Sequence, residues 1–229
     1  MLPLHWFLFT PCPLCGGPLA DPAGGAGDDI TACGPCRDRL ALPSGGLAGS
    51  EPIPWWGAGL YAGALRELLL QLRRRPRSAT VQALAGGLRG GLRHAGLGHE
   101  RALLVPVPSW KRRANPLPGL LCQALACHGG PQRCDLLQRS RPVLGQHHLG
   151  RALRLANQER AFRCVRPPAA GESRRRPLLI VDDILTSGAT ACSAAETLRQ
   201  AGWRVQGLVC LARTPRGRAA ASDLGSIGR

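Results

Sequence analysis

The chain has 229 residues, 44% hydrophobic and 19% charged, and no apolar run approaches the roughly 18–20 residues of a membrane span, which excludes membrane insertion. Its 30 glycines and 20 prolines favour a loop-rich globular protein, and its 4% aromatic content disfavours RNA-recognition and base-stacking surfaces. The net charge is +16, and the whole excess lies in residues 61–229, where 28 basic residues face nine acidic ones. We therefore expect an anionic partner for that part, unless the arginines reflect codon usage alone.

Residues 1–50 are predicted to form a small metal-binding domain. The apolar start lacks basic residues and reaches a cysteine within a dozen positions, so we expect no signal peptide and a cytoplasmic chain. Cys12 and Cys15 form one C-x2-C pair, and Cys33 and Cys36 form a second after seventeen intervening residues. Two such pairs place four thiolates around one tetrahedral ion, which predicts a closed, structural Zn²⁺ site in a zinc ribbon. A redox dithiol or two disulfides are the alternatives.

The other cysteines show no repeated ligand spacing, and we expect small buried hydrophobic residues. They are Cys122, Cys127, Cys134, Cys164, Cys192 and Cys210.

The next part of the chain predicts helices after a linker or a loose hairpin over 41–60, which is rich in Gly, Ser and Pro. Leucines at i, i+3, i+4 and i+7 predict an amphipathic helix that begins near Tyr61 and stops before Pro76. Further helices are expected at 78–94 and 117–128.

A short apolar run between prolines, residues 102–108, predicts a buried parallel strand. Lys111, Arg112 and Arg113 follow its carboxyl end, which is where α/β sheets bind their ligands. These three residues are therefore candidate phosphate contacts.

The segment 178–211 carries the densest chemistry. A buried strand over 178–181 is expected to stop at Asp182 and Asp183, and a helix over 191–200 and a strand over 203–211 follow. The loop before that helix offers hydroxyl groups, a glycine and unpaired backbone N–H groups to a phosphate. Its residues are Thr186, Ser187, Gly188, Ala189 and Thr190. A plain acidic turn and helix cap is the alternative.

The run LLIVDDILTSGAT resembles the phosphoribosyl-pyrophosphate (PRPP) loop of type I phosphoribosyltransferases. Further motifs narrow the resemblance to the ComF family of competence-associated proteins. They are the two cysteine pairs, YAGALRELL, LVPVP and the spaced residues Gln146, Leu149, Asn157 and Ala161-Phe162. This resemblance implies a type I phosphoribosyltransferase-like parallel sheet flanked by helices over 51–214. We expect a disordered tail over 215–229, beyond the resemblance.

The resemblance also implies roles for the site residues. Asp182 and Asp183 would contact the ribose hydroxyls, the 186–190 loop would hold the 5′-phosphate, and Lys111, Arg112 and Arg113 would face the pyrophosphate. A catalytic chain would displace pyrophosphate from C1′ of PRPP with the help of Mg²⁺.

Two function classes follow. One is an enzyme or binding protein for PRPP or a nucleotide. The other is a non-enzymatic DNA-uptake factor that binds single-stranded DNA, with Arg73, Arg74 and Arg75 in its surface, and a competence helicase. The family's R-G-F-N-Q segment is only partly matched around Asn115, and Arg73 replaces a lysine, so ligand binding is better supported than turnover.

Overall fold

The computed structural model describes residues 11–19, 32–109, 115–127, 129–140 and 161–215. Six helices lie in this part of the chain: α1 (Gly34–Leu40), α2 (Gly63–Arg74), α3 (Ser78–His94), α4 (Leu117–Ala126), α5 (Glu172–Arg175) and α6 (Ala189–Gln200). Its strands are β1 (Leu47–Gly49), β2 (Trp55–Leu60), β3 (Leu103–Pro106), β4 (Gln132–Arg133), β5 (Leu137–Arg139), β6 (Phe162–Cys164), β7 (Leu178–Leu185) and β8 (Val205–Arg213).

Six of the strands form one sheet in the order β1-β2-β8-β7-β3-β4. All neighbours are parallel except β1 and β2, which form an antiparallel pair. Strands β5 and β6 form a separate antiparallel hairpin. The predicted α/β architecture, a mostly parallel sheet flanked by helices, is confirmed.

Strand β7 is the centre of the sheet and is longer than the sequence predicts. Its first four residues, 178–181, are fully buried, as expected for a strand that is covered on both faces. The strand does not stop at the two acids, because Asp182 still pairs with Cys210 and Ile184 with Ala212 of β8. The acids therefore lie within a rigid strand and not in a loop.

Two hydrophobic cores cover the two faces of the sheet. Leu179 and Val181 pack with leucines of α2, α3 and α4, whereas Leu178 and Ile180 pack with α6 and the β5–β6 hairpin. This division follows from the alternation of side chains along a strand.

Of the two alternatives predicted for 41–60, a linker or a hairpin, the structure has the hairpin, and this hairpin also extends the sheet. Leu47 pairs with Gly57 within the hairpin, and Trp55 of β2 pairs in parallel with Leu208 of β8. The density of Gly and Pro conceals this strand from a reading of periodicity.

The cysteine-rich segment packs against the sheet's helical layer. Leu40 belongs to the first core, Leu14 packs against it, and the Thr80 hydroxyl of α3 donates a hydrogen bond to the Pro13 carbonyl at 3.4 Å. Among the described helices, none combines the length and the hydropathy needed to cross a membrane. The predicted tail lies outside the described residues from position 216 onward.

Candidate functional site

The loop between β7 and α6 brings the predicted residues 186–190 together at a helix N-terminus. Gly188 is the N-cap of α6 with φ of 82°, and no acidic residue lies in the first turn of the helix. The Ser187 hydroxyl accepts the Ala189 backbone N–H at 3.4 Å. Because the first N–H groups of a helix lack internal partners and the helix dipole is positive here, the loop is suited to an anion.

Gly188 is required by the shape of this loop. A Cβ at this position would lie 2.2 Å from Cγ of Pro52, a residue of the β1–β2 hairpin turn. Left-handed φ values also disfavour side chains with a Cβ. The hairpin at 41–60 therefore supports the loop from one side.

Arg213 supports the same loop from inside the protein. Its side chain is 4% exposed, and Nη1 donates hydrogen bonds to the Leu185 carbonyl at 3.0 Å and to the Thr186 carbonyl. The guanidinium lies over the Trp55 ring, 5.7 Å from its centroid. A buried arginine thus fixes the backbone where the loop begins.

The two neighbouring acids have different surroundings. Asp183 is 3% exposed, and its Oδ2 accepts hydrogen bonds from Arg73 Nε at 2.6 Å and from Asn115 Nδ2 at 2.7 Å. Both donors come from the side of the sheet that carries α2 and α4. Asp183 therefore joins α2 and the start of α4 to β7, and Arg73 is a partner of the site instead of a free surface charge.

Asp182 is half-buried and lies in register with Cys210, whose side chain belongs to the second core. Its Oδ1 accepts the Asp183 backbone N–H at 2.8 Å. Burial, and then the charge of Asp183, raise the pKa of Asp182 to about 8. A carboxyl group in this state gains from a cation or hydroxyl ligand that favours its charged form.

Arg139, at the end of β5, was missed by the sequence reasoning. Its Nε donates to the Pro108 carbonyl at 3.0 Å, and its guanidinium lies 4.3 Å from the centroid of the Phe162 ring. Burial lowers the pKa of Arg139 from its ordinary value, and the negative charge of Asp182 counteracts this effect. Within the described residues, the buried Nη1 has no hydrogen-bond partner.

A cavity of about 490 Å³ opens between the loop after β3 and α4. Its lining includes Asn115, which bonds to Asp183, and Pro108, which bonds to Arg139. Asn115, Ser109 and Arg133 contribute polar groups to its lining. The cavity lies at the carboxyl end of β3, where a parallel sheet binds ligands.

The four predicted ligand cysteines form one cluster. The sulfurs of Cys12, Cys15, Cys33 and Cys36 lie within 4.8 Å of one another, and the Cys15 and Cys33 sulfurs are 3.7 Å apart. Zinc–sulfur bonds of about 2.3 Å in a tetrahedron place sulfurs about 3.8 Å apart. The cluster therefore has the dimensions of a four-thiolate metal site.

The protonation of this cluster also fits a cation. Burial opposes ionisation of Cys12, but backbone N–H groups, first that of Cys33, lower its pKa to about 6. Burial and then the neighbouring sulfur groups raise the pKa of Cys36. Thiolates this close repel one another, and a bound metal ion removes that repulsion.

Comparison with known proteins adds relatives but no family model, since none matches the chain. The DNA utilization protein YhgH of Salmonella typhimurium is 32% identical over 215 residues, which cover 89% of this chain and 84% of the relative. The YhgH protein of Salmonella typhi gives the same values. That of Escherichia coli strain K12 is 31% identical over 219 residues, which cover 90% of this chain and 85% of the relative.

The chain belongs to the YhgH family. All of these relatives carry the name DNA utilization protein, and each alignment covers about nine-tenths of the chain.

Several residues that the sequence analysis singled out in this YhgH-family chain lie outside the described residues. Lys111, Arg112 and Arg113 are among the latter, as are Gln146, Leu149 and Asn157. The remaining six cysteines are only partly as expected, because Cys122 and Cys210 are fully buried whereas the other four are half-buried.

The residues that sequence reasoning missed are Arg139, Arg213 and Pro52. Each acts through a contact with a distant part of the chain, so no local motif marks it. One signal for Arg213 is present in the sequence, because this arginine is the last residue of the apolar strand β8. A charged residue that continues such a run is expected to have a polar partner.

Proposed function

We propose that this protein binds the ribose 5-phosphate moiety of PRPP or of a nucleotide at the β7–α6 loop. The backbone N–H groups at the start of α6 would bind the 5′-phosphate, with Thr186, Ser187 and Thr190 as hydroxyl donors and Gly188 and Ala189 as backbone contacts. Asp182 would bind the ribose hydroxyls, and Asp183 would hold the strand end in place through Arg73 and Asn115.

The observation that carries this proposal is the pairing of an anion site with an acid on one rigid strand. Asp182 lies within β7, only a few residues before a loop whose helix start is suited to phosphate. An acidic turn that merely caps a helix has no need of a half-buried carboxyl group with a raised pKa. The resemblance of 178–190 to the PRPP loop supports the same ligand.

Two metal ions accompany the proposal. Zn²⁺ is the structural ion that best fits four clustered thiolates. Mg²⁺ would enter with PRPP, since it prefers carboxylate and phosphate oxygens. The proposal is for binding, because phosphoribosyl transfer would also require an acceptor for the ribose.

Calorimetric titration with ribose 5-phosphate, 2-deoxyribose 5-phosphate and PRPP with Mg²⁺ tests the proposal. We expect D182N to weaken ribose 5-phosphate binding about tenfold or more, because a charge-assisted hydrogen bond contributes about 1.5–3 kcal/mol. Binding of the 2-deoxy compound, which lacks one of the hydroxyl contacts, should fall less. The control E196Q removes an exposed charge from α6 and should change neither affinity.

Wild-type protein that binds none of these compounds, and no nucleoside 5′-monophosphate, would contradict the proposal. Equal losses for both sugars in D182N would assign the residue a structural role instead.

A second candidate, binding of single-stranded DNA, is supported by the names of the relatives and by the opposite edge of the sheet. Five arginines, which we call the amino-edge cluster, lie where β3, β7 and β8 begin. They are Arg101, Arg174, Arg175, Arg176 and Arg204.

This cluster is held in place by polar contacts. Arg176 donates to the Gln132 side chain at 2.6 Å and to the Arg101 carbonyl at 3.3 Å, and the Arg204 backbone N–H bonds to Ser173. An open cavity of about 540 Å³ lies between Arg101, Arg175 and Arg176. In the described part of the chain, no carboxylate forms an ion pair with these five guanidinium groups, so they remain available to phosphates.

A further inference from the structure

We propose that Arg213 is a positioning residue for the phosphate, because it turns the backbone N–H groups of Thr186 and Ser187 toward the ligand from behind the β7–α6 loop. This inference rests on the proposed function, since it names the residue that gives that phosphate site its shape and part of its positive charge. Three observations carry it: the contacts of Arg213, the unpaired N–H groups of the loop, and the open side of β7 that they face.

The contacts of Arg213 fix the direction of two consecutive carbonyl groups. Its Nη1 donates to the Leu185 carbonyl at 3.0 Å and to the Thr186 carbonyl, so both oxygens point toward the guanidinium. The C=O and the N–H of a trans peptide unit point in opposite directions. The N–H groups of the same two peptide units, which belong to Thr186 and Ser187, therefore point away from Arg213.

Further contacts hold this arrangement in place. The Thr214 backbone N–H, just after β8, also donates to the Leu185 carbonyl, at 2.9 Å. The guanidinium of Arg213 packs over the Trp55 ring, and both Trp55 and Leu185 belong to the second core. The start of the loop is thus fixed by β8 and the core before a ligand binds, which lowers the entropy lost on binding.

The N–H groups that Arg213 turns outward are unpaired in the described part of the chain. Neither the Thr186 N–H nor the Ser187 N–H donates to a described protein oxygen, whereas the Ala189 N–H is bonded to the Ser187 hydroxyl. Thr186 and Ser187 are exposed, so a ligand oxygen can replace water at both N–H groups. Two consecutive N–H groups that point to the same side form a donor site for an anion.

These N–H groups face a side of β7 that is open at this level. Since the Leu185 carbonyl points toward β8, the Thr186 N–H points toward the side of β3. Among the described residues, the last backbone bond between these two strands runs from the Val107 N–H to the Val181 carbonyl. The open side therefore begins at Asp182, the residue that the proposed function assigns to the ribose hydroxyls.

The charge of Arg213 acts in the same direction as these donors. The side chain is 4% exposed, and solvent and salt screen a buried charge much less than a charge on the surface. A cation bound to the carbonyl ends of two peptide units also polarises them, so that their N–H ends become more positive. The phosphate is thus attracted by a cation that it does not touch.

Calorimetric titration of the full chain with ribose 5-phosphate compares wild type with two variants of this residue. We expect R213Q to weaken binding about tenfold, because it removes the charge behind the loop. R213K should stay within about threefold of wild type, since it keeps the charge and one donor although it loses the planar fork. The matched control is R199Q, which removes the same charge from the exposed last turn of α6 and should change the affinity less than about twofold.

Amide NMR spectra of the wild type give a second measurement that does not depend on the folding of a variant. Addition of ribose 5-phosphate should move the N–H signals of Thr186 and Ser187 downfield, because a phosphate oxygen replaces water as their acceptor. The same two signals should respond in R213K. Ligand-induced shifts that spare both signals in the wild type would overturn the inference, even where R213Q does not fold.

The outcomes separate the role of Arg213 from the proposed function. Unchanged affinity in R213Q would overturn this role while leaving ribose 5-phosphate binding intact. Equal losses in R213Q and R213K would overturn it as well, since the charge at this position would then contribute nothing to binding. Wild-type protein that binds neither ribose 5-phosphate nor PRPP would overturn both proposals together.

Discussion

At the scale of single residues, the candidate site depends on a few side chains that hold the backbone in place. Arg213 donates hydrogen bonds to the carbonyls at the start of the β7–α6 loop, and Gly188 allows Pro52 to approach this loop. Asp183 accepts hydrogen bonds from Arg73 and Asn115, whereas Asp182 accepts the Asp183 backbone N–H. These neighbouring identical residues thus have different surroundings, and the proposed function assigns the ligand contact to Asp182.

Replacing Gly188 by alanine should destabilise the protein by about 2 kcal/mol or more, because backbone strain at positive φ and a clash with Pro52 act together. Urea unfolding measures this change. The matched control is G96A, since Gly96 has a φ of 69° and open space around its Cα, so it carries the strain without the clash. Equal losses in the two variants would show that the Pro52 contact contributes nothing.

At the scale of elements, the cysteine cluster and the sheet are connected through helices. Leu40 of α1 and Leu14 of the first cysteine pair pack on the core that α2 and α3 share. Helix α2 in turn carries Arg73, which bonds to Asp183 in β7. The folding of the cysteine-rich segment therefore supports α2, the helix that is bonded to β7 at the candidate site.

Metal analysis of purified protein should give about one zinc ion per chain, since four thiolates complete one tetrahedral site. C36S should lose the ion and lower the melting temperature by about 5 °C or more, whereas C192S, which alters a half-buried cysteine of α6, should keep it. Zinc retention should also decrease as the pH falls, because protons compete for the thiolates. Metal-free protein with unchanged melting temperature would contradict the prediction.

At the scale of the whole molecule, positive charge lies at both edges of the parallel sheet. At the carboxyl edge, Arg73, Arg139 and Arg213 lie near the two acids and the β7–α6 loop. At the amino edge, arginines lie where the helices return to the strands, remote from that loop. The described arginines thus include two separate groups, one beside the candidate site and one around an open cavity at the amino edge.

Replacing Arg174 and Arg175 by glutamine should weaken binding of single-stranded DNA and lower its salt dependence, by about 0.7 in the log–log slope for each lost phosphate contact. Fluorescence anisotropy at several salt concentrations measures both. The control exchanges Arg37 and Arg39 for glutamine, because these exposed residues of α1 lie outside both arginine groups that are expected to contact DNA and the variant has the same net charge. Equal effects of the two variants would assign DNA binding to overall charge, and no binding at low salt would remove this function.

Local patterns were sufficient for much of this fold. The spacing of the cysteines identified the metal cluster, the leucine period identified α2, and the apolar run with its acids identified the β7–loop–α6–β8 unit. These features depend on residues that are close in sequence, so their periodicity and turn chemistry can be read directly. The boundaries of α3 at Ser78 and His94 are also as predicted.

Only the tertiary structure decided what the site residues do. Alternation along β7 predicts that Asp182 and Asp183 face opposite ways, but not that Asp183 bonds to Arg73 and Asn115. Nor does it predict that Arg139 packs on Phe162, in the core on the side of Asp182. It also decided that the Gly- and Pro-rich segment at 41–60 joins the sheet, through parallel pairing of β2 with β8 near the other end of the chain. Such contacts join residues far apart in sequence, and their partners are selected by the packing of whole elements, which no local pattern records.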